Sequence, residues 1–201
     1  MVVLKQPEGR RPRKPPSITR LTLWTIGHST RSAEEFLSLL AMHEIGRLVD
    51  VRRYPGSRRY PHFNSDALAA RLPQAGLVYQ HMPDLGGRRP TRPDSRNVGW
   101  KNAGFRGYAD YMQTAEFHMA IEELTSEAAR SRTVIMCAEA VPWRCHRSLI
   151  ADRLVIQGWE VRHITGSSQA QKHRLTAFAV QKGRDLLYPA SENHETSPRL
   201  F

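Results

Sequence analysis

Five short apolar runs punctuate the chain, and most are followed by a stretch of helical period. Residues 21–27 (LTLWTIG), 47–51 (RLVDV), 77–81 (LVYQH), 133–136 (TVIM) and 160–164 (EVRHI) have the length and side-chain types of strands. Ser32 with Glu35 three residues on has the spacing of a capping box and opens a helix whose apolar face is Phe36, Leu37 and Leu40. Asn64 or Ser65 opens a second, carrying Leu68 and Leu72 and stopped by Gly76. Helical patterning returns at 107–112 with Tyr108, Tyr111 and Met112, and Thr114 caps a further helix with Phe117, Ile121 and Leu124 inward. A last helix starts near His146, buries Leu149, Ile150 and Leu154, and stops at Gly158.

Strands alternating with helices predict an α/β fold: one domain over 21–166, with a mainly parallel sheet of about five strands and helices on both faces. Residues 167–201 read as a weakly packed C-terminal extension with a helix near 169–180. The stretch 84–104 is longer than an ordinary connection, a length at which loops are usually functional.

Composition narrows the class. Of 201 residues, 40% are hydrophobic, enough for one core, and two cysteines exclude a disulfide scaffold. No run approaches the ~18 apolar residues of a membrane span, and no apolar stretch near the start reads as a signal peptide. The expectation is a cytoplasmic protein with reduced thiols, no membrane association and an oligomeric state that the sequence leaves open. The net charge of +11 is uneven. Residues 1–20 carry six Lys/Arg against Glu8 and read as a disordered basic tail with salt-dependent affinity for polyanions. Residues 86–107 carry another six against Asp94, which leaves the rest of the body near neutral. Trp100 and Phe105 lie among those arginines, where they either stack on a base or anchor the loop.

In a parallel sheet the ligand sits beyond the carboxyl ends of the strands. The polar and reactive residues cluster just after the strands: Gly27-His28-Ser29, Asp50 with Arg52 and Arg53, Asp84 to Arg88 including Gly86 and Gly87, Cys137 with Glu139, and His163 near the end of its run. The densest chemistry is Cys137-Ala-Glu139-Ala-Val-Pro142-Trp143-Arg144-Cys145-His146-Arg147. Cys137 ends a strand, and Cys145 and His146 fall where the next helix begins, a position that lowers a thiol pKa. Alternatives stand beside this reading. Cys137 alone fits a small buried hydrophobe, Asp50 with Arg52 fits a structural ion pair, and His28 fits a hydrogen-bonded structural histidine. C-x7-C-H is not a standard zinc spacing, so a metal site would need His28 or His163 as well, and none is assigned. No GxGxxG or P-loop follows Gly27, so no cofactor is identified.

These segments occur in a recognisable order. TIGHS (25–29), F-x-x-L-L (36–40), VDVRRYPGS (49–57) and F-N-x-x-x-L (63–68) are followed by GLVYQHMPDLGGR (76–88), GYADYM (107–112), MCAEAVPWRCHR (136–147) and GWEVRHI (158–164). The string closely resembles the domain-of-unknown-function 488 family over about 22–165. The resemblance implies an α/β fold and a site built from these motifs, and it implies no particular reaction.

The residues point to an enzyme acting on an anionic substrate, phosphate-bearing and in the nucleotide or nucleic-acid class: a cysteine-dependent transferase or hydrolase. Cys145 or Cys137 is its nucleophile, His146 or His28 the base and Glu139 a general acid/base. Arg147, Asp50, Arg52, Arg53, Gly86, Gly87 and Arg88 form the substrate-binding set. A non-catalytic nucleic-acid-binding module and a thiol redox or metal-binding protein are the competing readings.

Overall fold

A computed structural model describes residues 21–167 and 169–190. The basic tail expected at 1–20 and the last part of the C-terminal extension, 191–201, lie outside the described residues.

The strands are β1 (Thr22–Gly27), β2 (Arg47–Asp50), β3 (Val78–His81), β4 (Thr133–Cys137) and β5 (Glu160–Ile164), all parallel to their neighbours, with a short antiparallel β6 (Gln171–Lys172) at one edge. Their order is β3-β2-β4-β1-β5-β6. The helices are α1 (Ala33–Met42), α2 (Ser65–Gln74), α3 (Ala103–Tyr111), α4 (Ala115–Ala128) and α5 (Arg147–Ile156). The expected α/β domain is therefore present, with one strand more than the five apolar runs.

Alternate residues of each strand face opposite layers, as the two-residue period requires. Leu23, Val49, Ile135 and Val161 are buried with Tyr108, Phe117, Ile121, Leu149 and Leu154 from α3, α4 and α5. Trp24, Ile26, Leu48, Val134 and Ile164 are buried with Phe36, Leu40, Leu68 and Leu72 from α1 and α2. Helices thus cover both faces.

Helix ends follow local chemistry. The Ser32 hydroxyl accepts from the Glu35 N–H at 3.1 Å, half of the expected capping box, while the Glu35 carboxylate pairs with Arg31 at 3.2 Å. Asn64 holds the N-cap position of α2, but its Oδ1 takes the Ser57 N–H at 2.6 Å and closes the basic loop 53–60 instead. Thr114 caps α4 through the Phe117 N–H. The third helical pattern begins earlier than 107, because Asn102 accepts from the N–H groups of Gly104 and Phe105 and starts α3 at Ala103.

The C-terminal extension corrects the sequence reading. In place of a helix near 169–180 it forms β6, a turn, and a hairpin of β7 (Val180–Lys182) with β8 (Asp185–Leu187). It is not weakly packed: Leu186 is 2% and Tyr188 0% exposed, both within the core against α3, α4 and α5. The anchor is Asp152 on α5, fully buried, which accepts from His173 Nε2 at 2.8 Å, Thr176 N at 2.9 Å, Thr176 Oγ1 at 2.7 Å and Tyr188 Oη at 2.9 Å. The sequence pattern shows no sign of this, because the anchoring acid sits 21 or more residues before its partners.

The long loop is also tied down. Asp110 on α3 accepts from Arg92 N, Ser95 Oγ and Asn97 Nδ2 at 2.9, 2.6 and 2.8 Å. Trp100 stacks on Phe105 with ring centroids 4.8 Å apart and packs against Phe178 and Tyr188. It anchors the loop to the core and does not offer a face to a base.

Candidate active site

The register levels the carboxyl ends of the strands. Gly27 pairs with Cys137, and Asp50 with both Met136 and His81. The segments that leave these strands meet at one edge. His28 N and Ser29 N donate to the carbonyls of Cys137 and Ala138, each at 2.9 Å, so the loop after β4 folds back over the end of β1. Gly27 makes that possible: a Cβ there would lie 2.0 Å from the Glu139 carbonyl oxygen.

Cys137, Cys145 and His146 converge on this edge. His146 Nδ1 lies 3.6 Å from Cys145 Sγ and 4.0 Å from Cys137 Sγ. His146 Nε2 lies 3.0 Å from the Val51 carbonyl oxygen. A carbonyl only accepts, so Nε2 carries the proton and, in the neutral ring, Nδ1 turns its lone pair toward both sulfurs. Tyr108 packs against the ring at 5.0 Å, and Gly87 lies on it so closely that a Cβ would stand 2.9 Å from Nδ1.

The two thiols share a proton unequally. Cys145 is held well below the ordinary thiol pKa, first because the Cys137 thiol donates to it and then through His146 and Arg147, against the cost of burial. Cys137 is pushed well above it, first by that same bond to Cys145 and then by burial. Arg147 supplies a reason for a buried anion here. It is 1% exposed, and among the described residues it forms no ion pair with a carboxylate. The sequence placed Cys145 at the helix N-terminus itself. In the structure α5 starts at Arg147 with His146 at the cap, and the neighbouring Cys137 thiol is the first cause of the lowering.

Above these groups lies a cleft of about 460 Å³, lined by Arg52, Arg53, Arg88 and Arg144, by Glu139, and by Gly87, Asn102 and Phe105 among others. Cys137, Cys145 and His146 are its reactive lining. Of the residues singled out from the sequence, the cleft thus gathers Cys137, Cys145, His146, Glu139, Arg52, Arg53, Gly87 and Arg88.

Four others are placed elsewhere. Arg147 does not reach the cleft: its guanidinium donates to Thr25 Oγ1 at 3.0 Å and to the carbonyls of Glu139 and Ala140, tying the cysteine loop to β1. Asp50, fully buried, holds Arg52 through two bonds of 2.8 and 2.5 Å and also accepts from the Tyr79 hydroxyl at 3.1 Å. Arg52 also donates to the Phe63 carbonyl at 2.6 Å, so most of its donors are committed below the cleft. His28 stacks on Phe63 with centroids 4.2 Å apart, faces Arg52 through Nε2 at 3.3 Å and donates Nδ1–H to the Ser29 carbonyl. Burial and then the Arg52 charge lower its pKa to about 4, so it is neutral at physiological pH. Gly86 packs its backbone on Arg53 rather than on the cleft. The structural alternatives for Asp50 and His28 describe what is found.

The loop arginines are largely engaged as well. Arg89 stacks over the Tyr111 ring at 3.6 Å, and Arg92 pairs with Asp94 at 3.0 Å. Arg144, Asn102 and Tyr54 line the cleft although the sequence reading assigned them no role. Arg144 was within sight, inside the cysteine segment, and Asn102 has the signature of a helix cap.

Among the described residues no helix is long and apolar enough to cross a membrane. Comparison with curated proteins and with solved structures gives no match. The family model described as Domain of unknown function DUF488 matches residues 32–154, a span that runs from the cap of α1 through the cysteine segment and most of α5, and the chain belongs to that family.

Proposed function

We propose that the protein is a cytoplasmic enzyme that binds an anionic, phosphate-bearing substrate in this cleft and transforms it at the Cys137–Cys145–His146 floor. One observation carries the reading: two thiols and an imidazole that turns its Nδ1 to them lie at the bottom of a cleft whose rim is guanidinium. Arg53, Arg88 and Arg144 suit the anionic group, since guanidinium matches phosphate or carboxylate with paired donors. Glu139 is the acid of the cleft lining, and a carboxyl group there suits proton exchange with a leaving or attacking group. In the metal-free chain Cys145 is the nucleophile, and Nδ1 of His146 takes a thiol proton. A hydrolase or a group transferase fits these parts.

Calorimetric titration with inorganic phosphate and with a nucleoside monophosphate tests the reading. Binding is expected, and Arg53→Ala with Arg88→Ala should abolish it while Cys145→Ser retains it. Absence of binding, or binding indifferent to the double substitution, overturns the proposal.

A further inference from the structure

The donor geometry at the cleft floor has a second chemical meaning. Two thiol sulfurs and one imidazole nitrogen, Cys137 Sγ, Cys145 Sγ and His146 Nδ1, all lie within 4.8 Å of one another. A tetrahedral zinc site with zinc–sulfur bonds of about 2.3 Å and a zinc–nitrogen bond of about 2.05 Å requires sulfur–nitrogen separations of about 3.6 Å and a sulfur–sulfur separation of about 3.8 Å. The sulfur–nitrogen distances in the structure are 3.6 and 4.0 Å, within a few tenths of an ångström of that geometry, and the two sulfurs lie within 4.8 Å of each other.

The surroundings support the same reading. The nitrogen facing the sulfurs is the unprotonated one, because the other is committed to the Val51 carbonyl, the outer bond that orients metal-binding histidines. The ligands come from two rigid places, the end of β4 and the residues leading into α5, with Arg147 pinning the loop between them. Gly87 leaves the Nδ1 side of the ring uncovered by any side chain of its own. Neither His28 nor His163, the extra ligands expected from the spacing, is needed or free: His28 is held by Arg52 and Ser29, and His163 by Thr25 and His173.

We infer that Cys137, Cys145 and His146 bind one zinc-type divalent cation, with the fourth coordination position open to the cleft. Two soft thiolates with one imidazole favour zinc over magnesium or calcium, and three protein ligands with one open position are the arrangement of reacting rather than purely structural zinc. The inference rests on the reading that the cleft floor is the reacting site, and it changes the division of labour there. With the ion bound, both sulfurs are thiolate ligands, the proton that the pair shares is released to solvent, and the fourth position holds water or a substrate oxygen beside Arg53, Arg88 and Glu139.

The full chain, kept reduced and stripped with a chelator, is titrated with cobalt(II) as a spectroscopic substitute and then with zinc against a chromogenic chelator. One equivalent is expected to bind, with a thiolate-to-cobalt charge-transfer band and the intense visible bands of a tetrahedral site. Cys137→Ser should weaken the charge-transfer band, and Cys137→Ser with Cys145→Ser should remove it. His146→Ala, checked for folding by circular dichroism, should lower affinity while keeping thiolate bands. No uptake at stoichiometric concentration, an octahedral cobalt spectrum, or uptake unchanged in the double variant overturns the inference. Phosphate titration of the same stripped protein separates the two proposals. Phosphate binding without metal uptake removes this inference alone, and metal uptake without phosphate binding removes the substrate assignment alone.

Discussion

The Nε2 of His146 lies 3.0 Å from the carbonyl oxygen of Val51, and that bond determines what the two cysteines face. A carbonyl only accepts, so the neutral ring carries its proton on Nε2 and turns the Nδ1 lone pair toward the sulfurs. The same residue pair joins the segment after β2 to the start of α5, two parts of the chain 95 residues apart.

Unequal sharing of the thiol proton has a measurable signature. Timed alkylation of reduced, metal-free protein near neutral pH should label Cys145 before Cys137, read by mass spectrometry, because the thiolate is the reacting form. Cys145→Ala removes the acceptor that most strongly raises Cys137, so Cys137 in that variant should react faster than in the parent. Equal rates in the parent chain would contradict the assignment.

Arg147→Ala should cost about 2–4 kcal/mol of stability, since it empties a buried guanidinium site and leaves the carbonyls of Glu139 and Ala140 without their donor. It should also raise the Cys145 pKa, seen as slower alkylation. Arg147→Lys should not restore stability, because an ammonium cannot span Thr25 and the loop carbonyls at once. Denaturant titration of the three proteins checks this.

Gly87→Ala places a methyl group 2.9 Å from His146 Nδ1. The fold should survive, because Gly87 lies on a surface loop with a negative φ, while cobalt uptake and Cys145 reactivity should fall at least tenfold. A folded variant with unaltered thiol chemistry would show that the ring has room to move.

Two buried histidines set the acid limit of stability. Burial and the Arg52 charge lower His28 to about 4, and burial with the His173 and Arg147 charges lowers His163 to about 3. The unfolded chain takes up these protons near pH 6.5, before the folded one, so the stabilisation present above pH 6.5 is lost progressively as pH falls toward 4 and then 3. Melting temperature should therefore drop between pH 6.5 and 4, and replacing His28 by Gln should flatten the upper part of that slope.

Asp152→Ala should cost roughly 2–4 kcal/mol, because four donors from His173, Thr176 and Tyr188 lose one fully buried acceptor. The loss should appear first as hydrogen exchange in 171–188. Uniform exchange across the chain would argue against a separately anchored extension.

The five parallel strands were legible because each is a short apolar run closed by a turn residue or a helix cap, and the cysteine segment because its residue types are rare together. The extension was not: Leu186 and Tyr188 are isolated apolar residues with no period, and Asp152 reads as a polar position on a helix. Arg147 shows the other limit. A guanidinium beside a cysteine suggests an anion clamp from sequence alone, and only the Gly27 contact with Glu139 reveals that the loop comes close enough to claim it. The convergence of Cys137, Cys145 and His146 was hidden for a related reason, since a sequence template counts residues along the loop while the fold closes that loop onto itself.

The strand order carries a consequence for how the chain assembles. β4 lies between β1 and β2, although it is made about 80 residues after β2. Until it arrives, β1 and β2 expose unpaired edges to each other, and pairing across such a sequence separation is slow. The strand that joins β1 to β2 is also the one that ends in Cys137. During synthesis the reactive floor is therefore among the last features to form, and a nascent chain stopped before residue 133 holds neither cysteine. Thiol chemistry and the joining of β1 to β2 are acquired in the same stretch of chain.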